Sequence, residues 1–318
     1  MDFELTKEQE EVKARAATFI KEVCDPLEDK WAADDYDMDP DIVMHVVTKF
    51  REYGLRGLSI PKEAGGLGYG TVAKCLVYEE ILKSPVLHGG LTTWSGLLEP
   101  NPALYTAPEW QKEKYLYPIL NEDRFFHINI SEPETGSDAA GITTTAVRDG
   151  DEYVINGTKR WAPPPFHPAV TPSYLLCYAV TDPTKAHNGI SMFLVDYPNP
   201  GVSVVQEFDT IGAGYLGRSC DYRYTDCRVP AENMLGLDGT GFRHMMDQLN
   251  RNRCVIGARL VGAAKWAQRK AVEYAKERTT FGKPLANRQA IQWMLADSEM
   301  DIEQLLKEEP FYFLSCQV

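Results

Sequence analysis

The chain has 318 residues, 44% of them hydrophobic and 25% charged. Those values fit a soluble globular protein of two or three domains and exclude a disordered chain, a collagen-like repeat and a bare coiled coil. With 33 Lys and Arg against 46 Asp and Glu the net charge is −13, so nucleic acid is not an expected partner. No run of 18 apolar residues occurs, so no membrane span is expected. The N-terminus lacks a basic segment followed by an apolar core, which makes the cytoplasm the expected compartment. Seven cysteines without a C-x-x-C spacing read as reduced structural thiols. Six scattered histidines give no metal-ligand spacing, so no metal is expected.

The first 120 residues predict helices. Thr6 and Gln9 form a capping-box pattern, and Val12, Phe19, Ile20 and Val23 follow at helical spacing until Pro26. A second helix is predicted over 40–53, on Ile42, Val43, Val46, Val47 and Phe50. A third is predicted over 71–83, on Val72, Cys75, Leu76, Tyr78 and Ile81. The glycine-dense stretch from Pro61 to Gly70 between them reads as a loop. It does not match G-x-G-x-x-G and no strand leads into it, so a structural turn is expected rather than a nucleotide cradle.

From 121 to 230 the pattern changes to short β-prone runs. Glu152–Gly157 alternates, and Asn156-Gly157 predicts a hairpin turn. Further strands are predicted over Tyr174–Val180, Ile190–Val195, Val202–Gln206 and Cys220–Cys227, with no helix between them. That spacing points to an antiparallel barrel or sandwich. After Pro230 the helical period returns, through Phe242, Met245, Met246 and Leu249 and then Ile256, Leu260, Ala263, Ala264 and Ala267 toward Tyr274. Another helix starts near Asn287 and is expected to break at Pro310. The three expected domains are therefore residues 1–120 (helical), 121–230 (β) and 231–318 (helical). Two long helices have too few partners to bury both their faces, so another subunit or further sequence should cover them.

Three stretches could carry chemistry. Ser131-Glu-Pro-Glu-Thr-Gly-Ser-Asp138 has the hydroxyls and exposed backbone to hold phosphate oxygens or a polar ring edge; it can equally be a surface connection. Arg278-Thr-Thr-Phe-Gly282 offers a pyrophosphate grip and an aromatic face, or simply a helix C-terminus and turn. Arg251 and Arg253 flank Asn252 and could meet a phosphate-bearing ligand or form a solvated face.

Taken in order, these stretches resemble the acyl-CoA dehydrogenase family. The landmarks are Pro61-Lys-Glu-Ala-Gly-Gly-Leu-Gly68, Gln111-Lys-Glu-Lys-Tyr-Leu116, Ser131–Asp138, Asn156-Gly-Thr-Lys-Arg-Trp161, Arg228-Val-Pro-Ala-Glu-Asn-Met-Leu-Gly236, and Arg278–Gly282 followed by Gln289. The resemblance implies a multi-domain α+β protein: an N-terminal helical domain, a middle antiparallel β-barrel or sandwich domain and a C-terminal helical bundle. It implies FAD, contacted by Ile130, Ser131, Ser137 and Trp161 and, across a subunit interface, by Arg278, Phe281 and Gln289. It places Ser137, Asn250 and Arg253 at the acyl-CoA. The implied partners are an acyl-CoA substrate, further copies in a homodimer or homotetramer, and an electron-transferring flavoprotein. The implied reaction is α,β-dehydrogenation of the thioester, with α-proton abstraction and β-hydride transfer to flavin N5.

The sequence departs from the family pattern at three places. Pro163 follows Ala162 where the family has a hydroxyl residue serving the flavin, and proline brings neither hydroxyl nor N–H. Asn252 stands where some members carry the catalytic glutamate, so the resemblance names no base. The family's late glutamate-bearing helix and Gln/Gly-rich segment fall beyond Val318, so the bundle reads as incomplete and the chain as truncated. The second reading is therefore an impaired homologue that binds flavin, acyl-CoA or a full-length partner without turnover. An oxidase or flavin monooxygenase on the same fold is the third.

Overall fold

The computed structural model describes residues 5–28, 40–87, 99–121, 124–162, 172–208 and 219–315. Helix α1 (Lys7–Phe19) starts where the capping box predicts. The Gln9 N–H donates to Thr6 Oγ1 at 3.2 Å and the Thr6 N–H donates to Gln9 Oε1 at 2.9 Å, satisfying two helix-end donors reciprocally. Val12, Ala16 and Phe19 line its buried face. Val43, Val46, Val47 and Phe50 do so on α2 (Pro40–Glu52). Helix α3 (Gly70–Ile81) is buried nearly all round, because α1 packs on it from one side and the long C-terminal helix α4 (Gly241–Glu277) from another.

The glycine-dense loop folds back on the chain before it. The Leu67, Gly68 and Tyr69 N–H groups donate to the carbonyls of Gly57, Ile60 and Leu58 at 2.9, 2.9 and 2.8 Å. A Cβ at Gly66 would stand 2.2 Å from the Ile60 carbonyl oxygen, so glycine is required by close approach. The loop is a structural turn, as its sequence predicts.

The middle of the chain is an eight-stranded sheet: β1 (Phe125–Asn129), β2 (Thr145–Asp149), β3 (Glu152–Ala162), β4 (Pro172–Val180), β5 (Ile190–Asp196), β6 (Val202–Phe208), β7 (Ser219–Pro230) and β8 (Met234–Leu235). The order is β6-β7-β3-β2-β4-β5-β8, with β1 also paired to β4. Pairing is mostly antiparallel, but β1 runs parallel to β4, and β2 meets the end of β4 parallel. The antiparallel expectation is corrected there. The physical reason is that β4 has both faces buried. Tyr174, Leu176 and Tyr178 enter one core cluster, while Leu175, Cys177 and Ala179 enter another.

Asn156-Gly157 does not turn the chain. The β2–β3 hairpin closes four residues after Ala146, at Gly150-Asp151, where Gly150 has φ +63°. Asn156 and Gly157 instead run on through β3 opposite a bulge in β7, where Thr225 and Asp226 face the single residue Asn156 and Asp226 has φ +45°. The Asn156 Oδ1 accepts from the Asp226 N–H at 2.8 Å, and a Cβ at Gly157 would meet Thr144 Oγ1 at 2.3 Å. The dipeptide serves a tight crossing rather than a reversal.

Helix α4 has 37 residues, about 55 Å of helix. Its first turns pack Met245 against the sheet's core cluster, and its middle packs Cys254, Val255 and Ala258 against α1–α3. One helix thus joins two hydrophobic cores. Beyond it, β9 (Thr279–Thr280) and β10 (Lys283–Pro284) form a short hairpin, and α5 (Gln289–Ser315) returns alongside α4. The backbone helix of α5 continues through Pro310, against the expected break; a proline costs a helix one N–H donor without having to end it. Ile256, Leu260, Tyr274, Trp293, Met294 and Met300 are exposed on these two helices. Cys24, Cys75, Cys177, Cys220 and Cys227 are buried free thiols, whereas Cys254 is disulfide-bonded, which corrects the all-reduced reading. Among the described residues no helix is long and apolar enough to cross a membrane.

Candidate functional site

Strand β3 alternates, so Tyr153, Ile155 and Lys159 share its inward face. A lysine on that face must find a carboxylate or remain an unpaired buried charge. Lys159, with no exposed surface, donates to Glu132 Oε1 at 2.9 Å and to the Ile130 carbonyl at 3.0 Å. Glu132 also accepts from the Thr143 N–H (2.7 Å), the Thr143 hydroxyl (2.8 Å) and the Thr144 N–H (3.0 Å). Burial pushes the Glu132 carboxyl up. Lys159 and these hydrogen bonds outweigh that and hold it at about 2. The loop after β1 is thereby fixed to the inner face of β3.

The next two residues of β3 finish the arrangement. The Arg160 N–H donates to the Ser131 carbonyl at 2.7 Å. Its guanidinium grips Asp221 on β7 in a two-point bond of 3.0 and 2.8 Å, and lies over the rings of Trp161 and Phe208. Trp161 has φ +64°, a backbone conformation rare for a bulky residue, and its side chain is 57% exposed with its ring 4.8 Å from that of Phe208. A flat aromatic surface is thus held open beside a loop whose Ser131 is half-buried and whose Ser137 is exposed.

A second site lies where α3, α4 and the 99–105 segment meet. Gln248, Arg251, Asn252 and Val255 follow the i, i+3, i+4, i+7 spacing of one face of α4 and line a cleft. Lys74 of α3 and Glu99 form a buried ion pair at 2.7 Å in its wall, and Ser59 donates both its N–H and its hydroxyl to Glu99. Burial pushes the Glu99 carboxyl up, but Lys74 and Ser59 outweigh it and hold the group below the usual carboxylate range.

The family models settle which proteins this architecture belongs with. Residues 6–123 match the acyl-CoA dehydrogenase N-terminal domain, 128–227 the middle domain and 239–307 the C-terminal domain. The chain belongs to the acyl-CoA dehydrogenase family. Its fold is that family's, and it is by membership an oxidoreductase acting on CH–CH bonds. It is similar to the acryloyl-CoA reductase (NADH) of Anaerotignum propionicum, at 35% identity over 93% of this chain and 73% of that protein. It is 34% identical to the short-chain specific acyl-CoA dehydrogenase, mitochondrial, of Mus musculus, over 81% of this chain and 61% of that protein. Among solved structures, butyryl-CoA dehydrogenase from Megasphaera elsdenii aligns with a TM-score of 0.80 at 28% identity, over 97% of this chain and 80% of that one.

Within this acyl-CoA dehydrogenase fold the sequence-predicted residues fall into separate groups. Ile130, Ser131 and Trp161 are brought together by Lys159 and Arg160, with Ser137 farther along the same loop. Arg278, Phe281 and Gln289 gather around the β9–β10 hairpin. The Leu285 N–H donates to the Arg278 carbonyl at 2.8 Å, Arg288 lies over the Phe281 ring, and Phe281 is 98% exposed with φ +48°. Among the described residues no hydrogen bond or ring contact joins these two groups. Asn250 and Arg253 are bonded to each other at 2.6 Å on an exposed face of α4, off the face that carries Asn252 into the cleft. Pro163 lies outside the described residues. Glu132, Lys159, Asp221, Lys74, Glu99 and Gln248 were not singled out from sequence. Only Lys159 left a signal, a cation at an inward position of a strand.

The first group fits a flavin. An exposed indole backed by a guanidinium offers an aromatic face, and the neighbouring loop offers hydroxyls for a polar ring edge.

Proposed function

We propose that the chain holds FAD and acts on an acyl-CoA thioester, as an α,β-dehydrogenase. The carrying observation is the pairing of the Ile130–Ser131 loop with Trp161 through Lys159 and Arg160. Ile130, Ser131, Ser137 and Trp161 would hold the ring system; Arg278, Phe281 and Gln289 would serve the flavin of a second copy in a homodimer or homotetramer. The bound flavin supplies the two-electron acceptor for the β-hydride. The protein's part is position and field. Lys159 and Arg160 keep the loop's backbone in place, and the exposed Trp161 face excludes water from one side of the bound ring. An electron-transferring flavoprotein is the proposed acceptor of the electrons.

The test is a visible absorption spectrum of the purified chain supplied with FAD, followed by anaerobic addition of acyl-CoA thioesters. Bleaching of a bound flavin band supports the reading. A chain that retains no flavin overturns it.

A second reading, binding without turnover, is favoured by Asn252. It lines the cleft as a neutral amide. The carboxylate in the same lining, Glu99, is tied to Lys74 and Ser59 and is a weak proton acceptor in that state. A bound flavin that stays oxidised with every thioester would select this reading.

A further inference from the structure

Gln248 sits in the wall of the cleft between α3 and α4, 5% exposed, with its Nε2 buried and without a hydrogen-bond partner. Its orientation follows from its neighbours. The Ala103 N–H donates to Asn101 Oδ1 at 2.9 Å, so Asn101 must present its Nδ2 on the other side. That Nδ2 donates to Gln248 Oε1 at 3.0 Å, so Gln248 must present its own NH₂ away from Asn101. Asn101 does not line the cleft, which leaves the NH₂ end of Gln248 to face it. The same lining offers an acceptor. Glu99 Oε2 takes both Lys74 and the Ser59 hydroxyl, whereas Oε1 takes the Ser59 N–H at 2.8 Å and keeps a lone pair. A buried N–H left unmade costs its full desolvation, so such donors in folded proteins are met by protein or by ordered water.

We infer that the cleft is a binding site for a single water molecule, which accepts from Gln248 Nε2 and donates to Glu99 Oε1. The space measures about 10 Å³, the room one water takes and far too little for an acyl end. A water matches this wall because it both accepts and donates. A halide ion only accepts. Arg251 in the lining would attract it, but the Glu99 carboxylate in the same lining would repel it and would keep its lone pair unmade. The water bridge joins α4 to the Lys74–Glu99 pair, and so to α3, on the face of α4 that also carries Asn252. It stands independently of the flavin and acyl-CoA readings.

The experiment is crystallography of the FAD-supplied chain at a resolution that shows ordered water, with one crystal soaked in bromide. Oxygen-17 relaxation dispersion, which counts long-lived waters, accompanies it in solution. The expected map shows one water within roughly 2.7–3.2 Å of both Gln248 Nε2 and Glu99 Oε1, and no anomalous bromide peak there. Gln248→Met keeps nearly the same volume and removes the donor, so the solution count should fall by one long-lived water. Asn101 retains Tyr178 and the His244 carbonyl as partners in that variant. Thermal melts check that it folds; if it does not, the wild-type map decides alone. A map that shows other buried waters and none here, a bromide peak at the site, or a water count unchanged by Gln248→Met overturns the inference.

Discussion

Lys159 and Glu132 are 27 residues apart in the chain and 2.9 Å apart in space, and together they fix the loop after β1 to the inner face of β3. Neither side chain reaches solvent to any useful extent. Each would be a costly buried charge alone, so the pair makes the position of the loop a condition of folding rather than a consequence of it.

Lys159→Met should therefore destabilise the chain by about 3–5 kcal/mol, because it strands the Glu132 carboxylate and frees the Ile130 carbonyl. Urea unfolding followed by circular dichroism measures the loss. A cost below about 1 kcal/mol would mean the loop is held by other contacts.

The same pair gives stability a pH dependence. The Glu132 carboxyl is held at about 2 in the folded state against an ordinary value of 4.5. A depressed carboxyl contributes fully above its unfolded value and loses that contribution as pH falls toward the folded value. Stability should therefore fall between about pH 4.5 and pH 2, by about 3 kcal/mol from this group. Glu132→Gln should flatten that part of the curve, which a series of unfolding midpoints against pH would show.

Trp161 is exposed and its backbone is left-handed, so its ring adds little to the fold. Trp161→Gly relaxes the backbone and removes the ring. The melting temperature should change by only a few degrees, while flavin retention, read as the ratio of visible to ultraviolet absorbance, should fall at least tenfold. Unchanged retention would remove Trp161 from the flavin site.

At Gly262 helices α3 and α4 approach so closely that a Cβ would stand 2.2 Å from the Glu79 carbonyl oxygen. Gly262→Ala should push the helices apart and cost about 1–3 kcal/mol despite alanine's better helix propensity. A stabilised variant would show that the crossing has slack.

The exposed Leu260 and Trp293 belong to the apolar surface left on α4 and α5. We expect the chain to self-associate through it. Sedimentation should show species larger than the monomer, and Leu260→Glu with Trp293→Glu should shift them toward monomer without lowering the melting temperature. A stable wild-type monomer would contradict this.

Periodicity was enough for the helices. Val12, Ala16 and Phe19, or Val43, Val46 and Phe50, recur at helical spacing and are buried as that spacing requires. Strand β4 was legible as a strand, but its two buried faces, and hence its parallel neighbour β1, were not, since an apolar run carries no record of what covers each side. Asn156-Gly157 misled because a turn-forming dipeptide also suits a strand position facing a bulge in its neighbour, and the choice was made by Thr144 and Asp226, of which Asp226 is remote in sequence. The site followed the same rule. Ser131 and Trp161 were found through a family pattern, whereas Glu132 and Lys159, which join them, became visible only in space.

The sequence alone determined the order of helices, sheet and helices, the family, and the segments that carry the candidate flavin contacts. These depend on local spacing and on residues close together in the chain. The tertiary structure decided which charges are paired, which face of α4 meets the cleft, and that Asn252 shares that cleft with Lys74, Glu99 and a Gln248 whose donor is unmade. A buried polar group is defined by its partners, and those partners come from elements that only folding brings within 3 Å.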